Sequence, residues 1–250
     1  MTEALAPHKL GSREWWDDYF SPGGGWETHG GRNQTRAFAE AFMKYVPLDK
    51  TRHFTLLDVG CALGEAISLF RENYAMADLF GIDISETAIS RCRHRLGNSA
   101  HFQVMQIDDI SANYDVIYCS AVLEHFADFR EKARHLITRC KALYVIVPFN
   151  EMRRGKQLQP DPEEHHQHTF GLSSFDFLFS DGLASSIETR VFTCPGAWSW
   201  PWPVWIKENL VKNPLRLALR KPIAKNPRMI LYDIESAPQA GSSCSDPNLS

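Results

Sequence analysis

The chain has 250 residues, of which 44% are hydrophobic and 23% charged, and its net charge is −3. This length and composition predict one generous globular domain, and they exclude a disordered chain, a repeat array and a disulfide-stapled mini-protein. The small net charge argues against general binding to nucleic acid. Neither a membrane span nor a signal peptide is apparent, so we expect a cytoplasmic protein. We expect residues 14–236 to form the domain and residues 237–250 to be a disordered polar tail.

Strand-like and helix-like segments alternate between residues 54 and 150. The apolar runs predict strands at 53–60, 78–85, 101–108, 114–122 and 142–149, and the periodic segments predict helices at 64–73, 86–96 and 128–140. After an irregular polar stretch, a helix is expected near 173–183 and two more strands at 185–193 and 227–236. This order predicts an α/β fold, a Rossmann-like seven-stranded mixed sheet with helices on both faces.

A glycine-containing turn follows the first predicted strand, in the sequence LLDVGCALGEA. Asp58, Gly60 and Gly64 mark this turn, where glycines let backbone amides approach a ligand at the N-terminus of a helix. Asp83 ends the second strand, where a carboxylate can accept both hydroxyls of a ribose. The pattern therefore predicts a nucleotide-binding site, although the same glycines could serve only a tight turn.

The turn resembles motif I of the class I S-adenosylmethionine (SAM) dependent methyltransferases, usually D/E-x-G-x-G-x-G, with Ala62 where the middle glycine normally stands. The resemblance extends over residues 35–150 and implies the class I methyltransferase fold with SAM as cofactor. It also implies that QIDDI contacts the adenine, that Ser120 lies near the methionine part of SAM, and that Glu124 and His125 face the methyl group. The cofactor-binding residues implied in this way are Asp58, Gly60, Cys61, Ala62, Gly64, Asp83, Ile84, Asp108, Asp109 and Ser120.

Residues 14–50 combine aromatic residues, glycines and Arg32 ahead of an amphipathic helix. This segment resembles the N-terminal region of class I methyltransferases from bacterial polysaccharide and glycan gene clusters. The resemblance implies a cap over the cofactor in which Arg32 holds the carboxylate of SAM, a task that suits a guanidinium. The alternative is that Trp15, Trp16 and Trp26 only pack a helix onto the sheet.

Four histidines are candidates for activating an acceptor hydroxyl, because a base with a pKa near 7 suits that reaction. His125 follows the fourth strand, and His165, His166 and His168 follow the fifth. We favour His165 or His168 as the base, with His125 in support, and we expect no metal. Two alternatives compete: a divalent metal site that these histidines form with Asp161, Glu163 and Glu164, and a solvated polar loop.

The segment 195–228 contains four tryptophans, and its seven basic residues against one glutamate give it a local charge of +6. Aromatic and basic residues in short helices are typical of proteins that lie on an anionic membrane surface, and they also suit stacking on sugar rings. The remaining alternative is a helical cap over the sheet edge.

These features predict a SAM-dependent methyltransferase that methylates a sugar hydroxyl on a bacterial glycan or sugar intermediate. A lipid-linked acceptor and a peripheral contact with the inner face of the membrane through residues 195–228 are part of this hypothesis. The alternatives are a small-molecule O- or N-methyltransferase of specialised metabolism and a non-catalytic SAM-fold binding subunit.

Overall fold

Seven strands form one mixed sheet in the computed structural model, which describes residues 8–150, 152–153, 156–157, 166–193 and 228–238. The strands are β1 (Thr55–Val59), β2 (Asp78–Asp83), β3 (His101–Val104), β4 (Tyr114–Ser120), β5 (Cys140–Pro148), β6 (Ala184–Thr193) and β7 (Arg228–Ser236). Their order across the sheet is β3-β2-β1-β4-β5-β7-β6. The first five strands are parallel, and β7 lies antiparallel between β5 and β6. The predicted seven-stranded mixed sheet is confirmed.

Helices cover both faces of this sheet. They are α1 (Arg13–Tyr19), α2 (Gly25–Thr28), α3 (Gly31–Tyr45), α4 (Glu65–Asn73), α5 (Glu86–Leu96), α6 (Phe129–Ile137) and α7 (Phe177–Ser180). Side chains alternate along each strand, so Leu56 joins the core under α3 and α4 while Leu57 joins the core under α6. Phe42 of α3 is fully buried against the first core, and its ring centroid lies 5.1 Å from that of Tyr118.

Several element boundaries differ from the sequence prediction. Strand β3 ends at Val104, because the acidic stretch that follows turns into a 3-10 helix at Ile107–Asp109. Helix α6 ends at Ile137, which leaves Cys140 to begin β5. The helix predicted near 173–183 is the single turn α7.

Ser85 caps the start of α5, because its hydroxyl accepts a hydrogen bond from the Ala88 amide at 3.0 Å. Asp128 occupies the equivalent position before α6 but forms no side-chain cap. Its carboxylate instead pairs with Lys132 at 3.1 Å. The helix predicted to begin at 128 therefore begins at Phe129, directly after Asp128.

Some predictions concern residues outside the described part of the chain. These are the Trp-rich and basic segment 195–228 apart from Arg228, His165 with the acidic residues before it, and most of the tail 237–250. Among the helices that the structure describes, none has the length and apolar character needed to cross a membrane.

Candidate functional site

The turn between β1 and α4 has left-handed backbone at three alternate positions. Gly60 and Gly64 have φ angles of 70° and 75°, and Ala62 between them has a φ of 49°. Ala62 is therefore strained, which explains why a glycine is the usual residue at this point of the motif. A Cβ atom on Gly60 would lie 2.4 Å from a methyl carbon of Val122, so this glycine is also required by close packing.

The carboxylate of Asp83 fastens this turn to the end of β2. One oxygen accepts a hydrogen bond from the Ala62 amide at 3.0 Å, and the other accepts one from the Ser85 amide at 2.9 Å. Burial, with a smaller contribution from the charge of Asp17, raises the pKa of Asp83 to about 6 against the lowering effect of these two hydrogen bonds. Asp83 is therefore ionised at neutral pH but titrates close to it.

Asp58 and Cys61 lie beneath the turn and are almost fully buried. Burial raises the pKa of the Asp58 carboxyl well above its usual range, and the charges of Asp83 and Glu65 act in the same direction. A hydrogen bond with Cys92, together with burial, raises the pKa of the Cys61 thiol well above its usual range. These side chains do not line the cavity described next, and their contact with the cofactor stays a prediction, as does that of Gly64.

A cavity of about 640 Å³ opens at the carboxyl ends of β1, β2 and β4. This volume falls within the range of about 300–1,000 Å³ that is usual for small-molecule sites. The strand order reverses between β1 and β4, and open α/β sheets bind ligands at such a switch point. The wall of the cavity includes these predicted cofactor-binding residues: Gly60, Ala62, Asp83, Ile84, Asp108 and Ser120.

The acidic turn after β3 contributes one carboxylate to the cavity. Asp108 lines the cavity, and one of its oxygens lies 2.6 Å from the ammonium nitrogen of Lys132. Lys132 also lines the cavity. Asp109 does not line the cavity, so its contact with adenine stays a prediction. Sequence reasoning missed Lys132, because nothing in the chain order places the second turn of α6 beside the end of β3.

Arg32 lies in the first turn of α3 and does not line the cavity. Its guanidinium pairs with the buried carboxylate of Glu65, with a nitrogen to oxygen distance of 3.6 Å. Arg95 approaches the same oxygen at 3.4 Å. In this structure Arg32 thus stabilises the start of α4, and its contact with the SAM carboxylate stays a prediction.

Two of the four candidate histidines line the cavity, His125 and His166. Their ring centroids are 5.0 Å apart, and Trp16 of α1 packs edge-on against His125 at 5.6 Å. Glu124 lies directly beside them and is fully buried. Its backbone carbonyl accepts a hydrogen bond from the amide of Gln167 at 2.7 Å, which joins the turn after β4 to the segment after β5.

His168 has a different environment from His166. Its imidazole contacts the carbonyl oxygen of Ala127 at 3.1 Å and packs on the ring of Phe129, and it does not line the cavity. His165 lies outside the described residues. The structure therefore places His166, which the sequence prediction had not favoured, on the cavity wall, and a catalytic role for any of the four histidines stays a prediction.

The N-terminal segment forms one wall of the cavity and is held on α5. The Asp17 carboxylate accepts hydrogen bonds from the Ser85 hydroxyl at 2.6 Å and from the Thr87 amide at 2.9 Å. Arg91 of α5 donates to the carbonyl of Phe20 at 2.6 Å. The aromatic residues of α1, α2 and the turn between them that line the cavity are Trp16, Tyr19, Phe20 and Trp26. Asp17 had no recognisable signal in the sequence, because its partners are about seventy residues away.

Comparison with known proteins gives the family. The profile of the methyltransferase domain family Methyltransf_23 matches residues 31–181. Malonyl-[acyl-carrier protein] O-methyltransferase of Acetivibrio thermocellus is 26% identical over 115 residues, which span 45% of this chain and 41% of that protein. The chain thus matches about two fifths of the length of this curated relative.

Solved structures share the fold at low sequence identity. A chain of the complex between the Haloferax volcanii Trm112 methyltransferase activator and its methyltransferase has a TM-score of 0.64 at 14% identity, with 89% of this chain and 98% of that chain covered. Magnesium protoporphyrin IX methyltransferase of Synechocystis PCC 6803 with bound SAH has a TM-score of 0.52 at 16% identity, with 83% and 84% covered. The plantazolicin methyltransferase with SAH has a TM-score of 0.51 at 20% identity, with 84% and 87% covered.

The glycine turn, the Asp83 carboxylate at the end of β2 and the cavity at the switch point are those expected of a SAM-dependent methyltransferase of class I fold. The family profile covers more than half of the sequence. The chain therefore belongs to the methyltransferase domain family. The predicted fold class, enzyme class and cofactor are confirmed, while a likeness at these identities gives no acceptor.

Proposed function

We propose that the protein transfers the methyl group of SAM to a hydroxyl group of a sugar or glycan intermediate. The observation that carries this proposal is the pair of imidazoles, His125 and His166, on the wall of the same cavity that Asp83 lines. A hydroxyl is a weak nucleophile, so it needs a group that accepts its proton or lowers its pKa. The methyl group of a sulfonium is already electrophilic and needs no such group.

Residues around the turn after β1 would hold the cofactor. The carboxylate of Asp83 would accept the ribose hydroxyls, and the backbone of Gly60, which lines the cavity, would contact the cofactor. Asp108 would lie beside the adenine and Ser120 beside the methionine part. When bound, SAM supplies an electrophilic methyl group on its sulfur. Holding this methyl in line with the acceptor oxygen lowers the barrier by about 7–11 kcal/mol.

The acceptor side of the cavity is aromatic and partly polar. Trp16 and Tyr19 of α1 line it, together with Trp26 of α2 and the two histidines. Flat aromatic faces next to hydrogen-bonding groups suit a ring that is apolar on its faces and polar at its rim, as a sugar is. This arrangement supports the sugar acceptor. The basic segment 195–228 could extend the contact to a lipid-linked or anionic glycan at the inner face of the membrane, a hypothesis that rests on its sequence alone.

A small-molecule acceptor is the second candidate. It is favoured by the name of one similar protein, a magnesium protoporphyrin IX methyltransferase. A cavity of about 640 Å³ has the size of a site for a single compact acceptor beside the cofactor. A non-catalytic SAM-binding subunit would use the same cavity without transfer.

Incubation with methyl-labelled SAM separates these functions. Purified protein would be mixed with hydrolysed surface glycan, with lipid-linked glycan precursors and with a cytosolic small-molecule fraction, and the labelled species would be identified by mass spectrometry. The proposal expects alkali-stable label on a sugar, and a His125→Asn variant should lose that label. Label in a cytosolic metabolite alone would support the second candidate. Calorimetric binding of SAM without any transfer would support the binding subunit.

A further inference from the structure

Three side chains that commonly bind metals meet at the acceptor end of the cavity. One donor atom each from Glu124, His125 and His166 lies within 4.8 Å of the other two. We infer that these residues bind one divalent first-row transition-metal cation. The inference deepens the proposed function and rests on it where it concerns the acceptor. The sequence analysis expected no metal. The carboxylate of the inferred site is that of Glu124, and not one of the loop residues Asp161, Glu163 and Glu164.

The spacing of the donor atoms fits a single ion after small side-chain rotations. Ligand atoms at about 2.1 Å from one ion lie about 3.0–4.2 Å from each other in tetrahedral or octahedral geometry. The three donor atoms lie within 4.8 Å of one another, which is only slightly beyond this range. Three protein ligands are enough for such a site, because catalytic metal sites typically have three protein ligands and open positions.

The backbone holds the three ligands in register. Glu124 and His125 belong to one 3-10 turn, Leu123–His125, in which the His125 amide donates to the Val122 carbonyl at 3.1 Å. His166 comes from the segment after β5, which the bond from Gln167 to the Glu124 carbonyl fastens to that turn. Ligands from two chain segments are therefore brought together by the fold and not by sequence proximity alone.

Burial and charge favour a cation at this point. Glu124 is 0% exposed, and a carboxylate removed from water is stabilised by a nearby positive charge. Neutral imidazoles supply lone pairs without adding negative charge, so one carboxylate and two imidazoles leave a divalent ion with net positive charge. This mixed nitrogen and oxygen set suits Mn²⁺, Fe²⁺, Co²⁺ or Zn²⁺ better than Mg²⁺ or Ca²⁺, which prefer oxygen ligands alone.

The position of the cluster indicates what the ion would do. His125 and His166 line the cavity, with Glu124 behind them, so the open positions of the ion would face the acceptor. A cation there lowers the pKa of an acceptor hydroxyl, as it does for water. The hydroxyl proton would leave to solvent, the oxygen would form the new bond to the methyl carbon, and the carbon–sulfur bond would break. The sulfur would keep that electron pair and become a neutral thioether.

Metal binding is tested on the purified full-length chain without reference to activity. The protein would be treated with a chelator, dialysed, and titrated with Co²⁺ by visible absorption and with Zn²⁺ by calorimetry. We expect one ion per chain and a rise in melting temperature on loading. His125→Asn, His166→Asn and Glu124→Gln should each weaken binding by at least about tenfold, because even the loss of a residue that only supports a metal ligand costs about 10–100-fold in affinity.

A matched control is His53→Asn. His53 pairs with Asp78 at 2.9 Å, at the amino ends of β1 and β2 and therefore at the opposite edge of the sheet from the cavity. This variant should bind the ion like the wild type. Because Glu124→Gln could impair folding, His166→Asn is the decisive variant, and its melting temperature without metal should match that of the wild type.

The outcomes separate this inference from the proposed function. If no stoichiometric ion binds, or if binding survives all three substitutions, the metal site is overturned. Methyl transfer that is unaffected by chelation but lost in His125→Asn would overturn the role of the ion in activating the acceptor and leave the methyltransferase proposal intact, with imidazole as the base. One bound ion with no methyl transfer to any fraction would leave the metal site intact and contradict the sugar acceptor.

Discussion

The affinity for the cofactor should fall as pH decreases through 6, because Asp83 must be ionised to accept the ribose hydroxyls. Burial raises the pKa of this carboxyl to about 6 in the free protein. Below that pH the folded protein holds a proton that must be released before the cofactor binds. If only the carboxylate form binds, the Kd rises about 2-fold at pH 6 and about 11-fold at pH 5 relative to pH 8.

The assay is calorimetric titration with S-adenosylhomocysteine between pH 5 and pH 8. Histidines titrate in the same range, so the matched variant Asp83→Asn is needed, which should bind weakly and with little dependence on pH. Asp17→Asn gives a second control. Since the charge of Asp17 raises the pKa of Asp83, its removal should move the midpoint below pH 6. A flat profile in the wild type, or the same profile in Asp83→Asn, would refute the reasoning.

Three further substitutions test other parts of the structure. His166→Asn should lower kcat for methyl transfer far more than His168→Asn, because only His166 lines the cavity, and equal losses in a steady-state assay would contradict this assignment. Gly60→Ala should abolish measurable SAH binding in calorimetry, because the added Cβ would lie 2.4 Å from a methyl carbon of Val122. Gly182 has a similar φ of 69°, but no described atom lies within 4 Å of an added Cβ, so Gly182→Ala should lose only about 1–2 kcal/mol of stability. Phe42→Ala should lower the free energy of unfolding by about 3–5 kcal/mol in urea titration, because its ring is fully buried, and a loss below about 1 kcal/mol would be inconsistent with that burial.

Four parallel strands, β1, β2, β4 and β5, were predictable because they are buried along most of their length and read as apolar runs, whereas the edge strand β3 alternates between exposed and buried residues. The ends of elements were less predictable. Thus β3 was predicted to continue to residue 108, yet it ends at Val104, where the chain turns to bring Asp108 to the cavity. Such ends depend on contacts with neighbouring strands and helices, which local periodicity does not contain.

The candidate site was predictable in type and only partly in detail. Spacing placed Asp83 and Gly60 correctly at the ends of adjacent strands, because parallel strands of similar length end at one edge. It could not distinguish His166 from His168, since both lie in the same polar stretch and the choice depends on how that stretch packs on Glu124. Ala62 shows a further limit, because its left-handed backbone is visible only in the structure.

The wall formed by α1 has a consequence for the order in which the protein is made. Asp17 precedes its partner Ser85 by 68 residues. At a synthesis rate of about 5–20 residues per second, Asp17 is made about 3–14 s before that partner exists. The aromatic segment around Trp16 must therefore remain undocked on the ribosome during that interval, with its apolar rings accessible to chaperones. The aromatic segment around Trp16 can thus dock on α5 only after β1 and β2 have been synthesised.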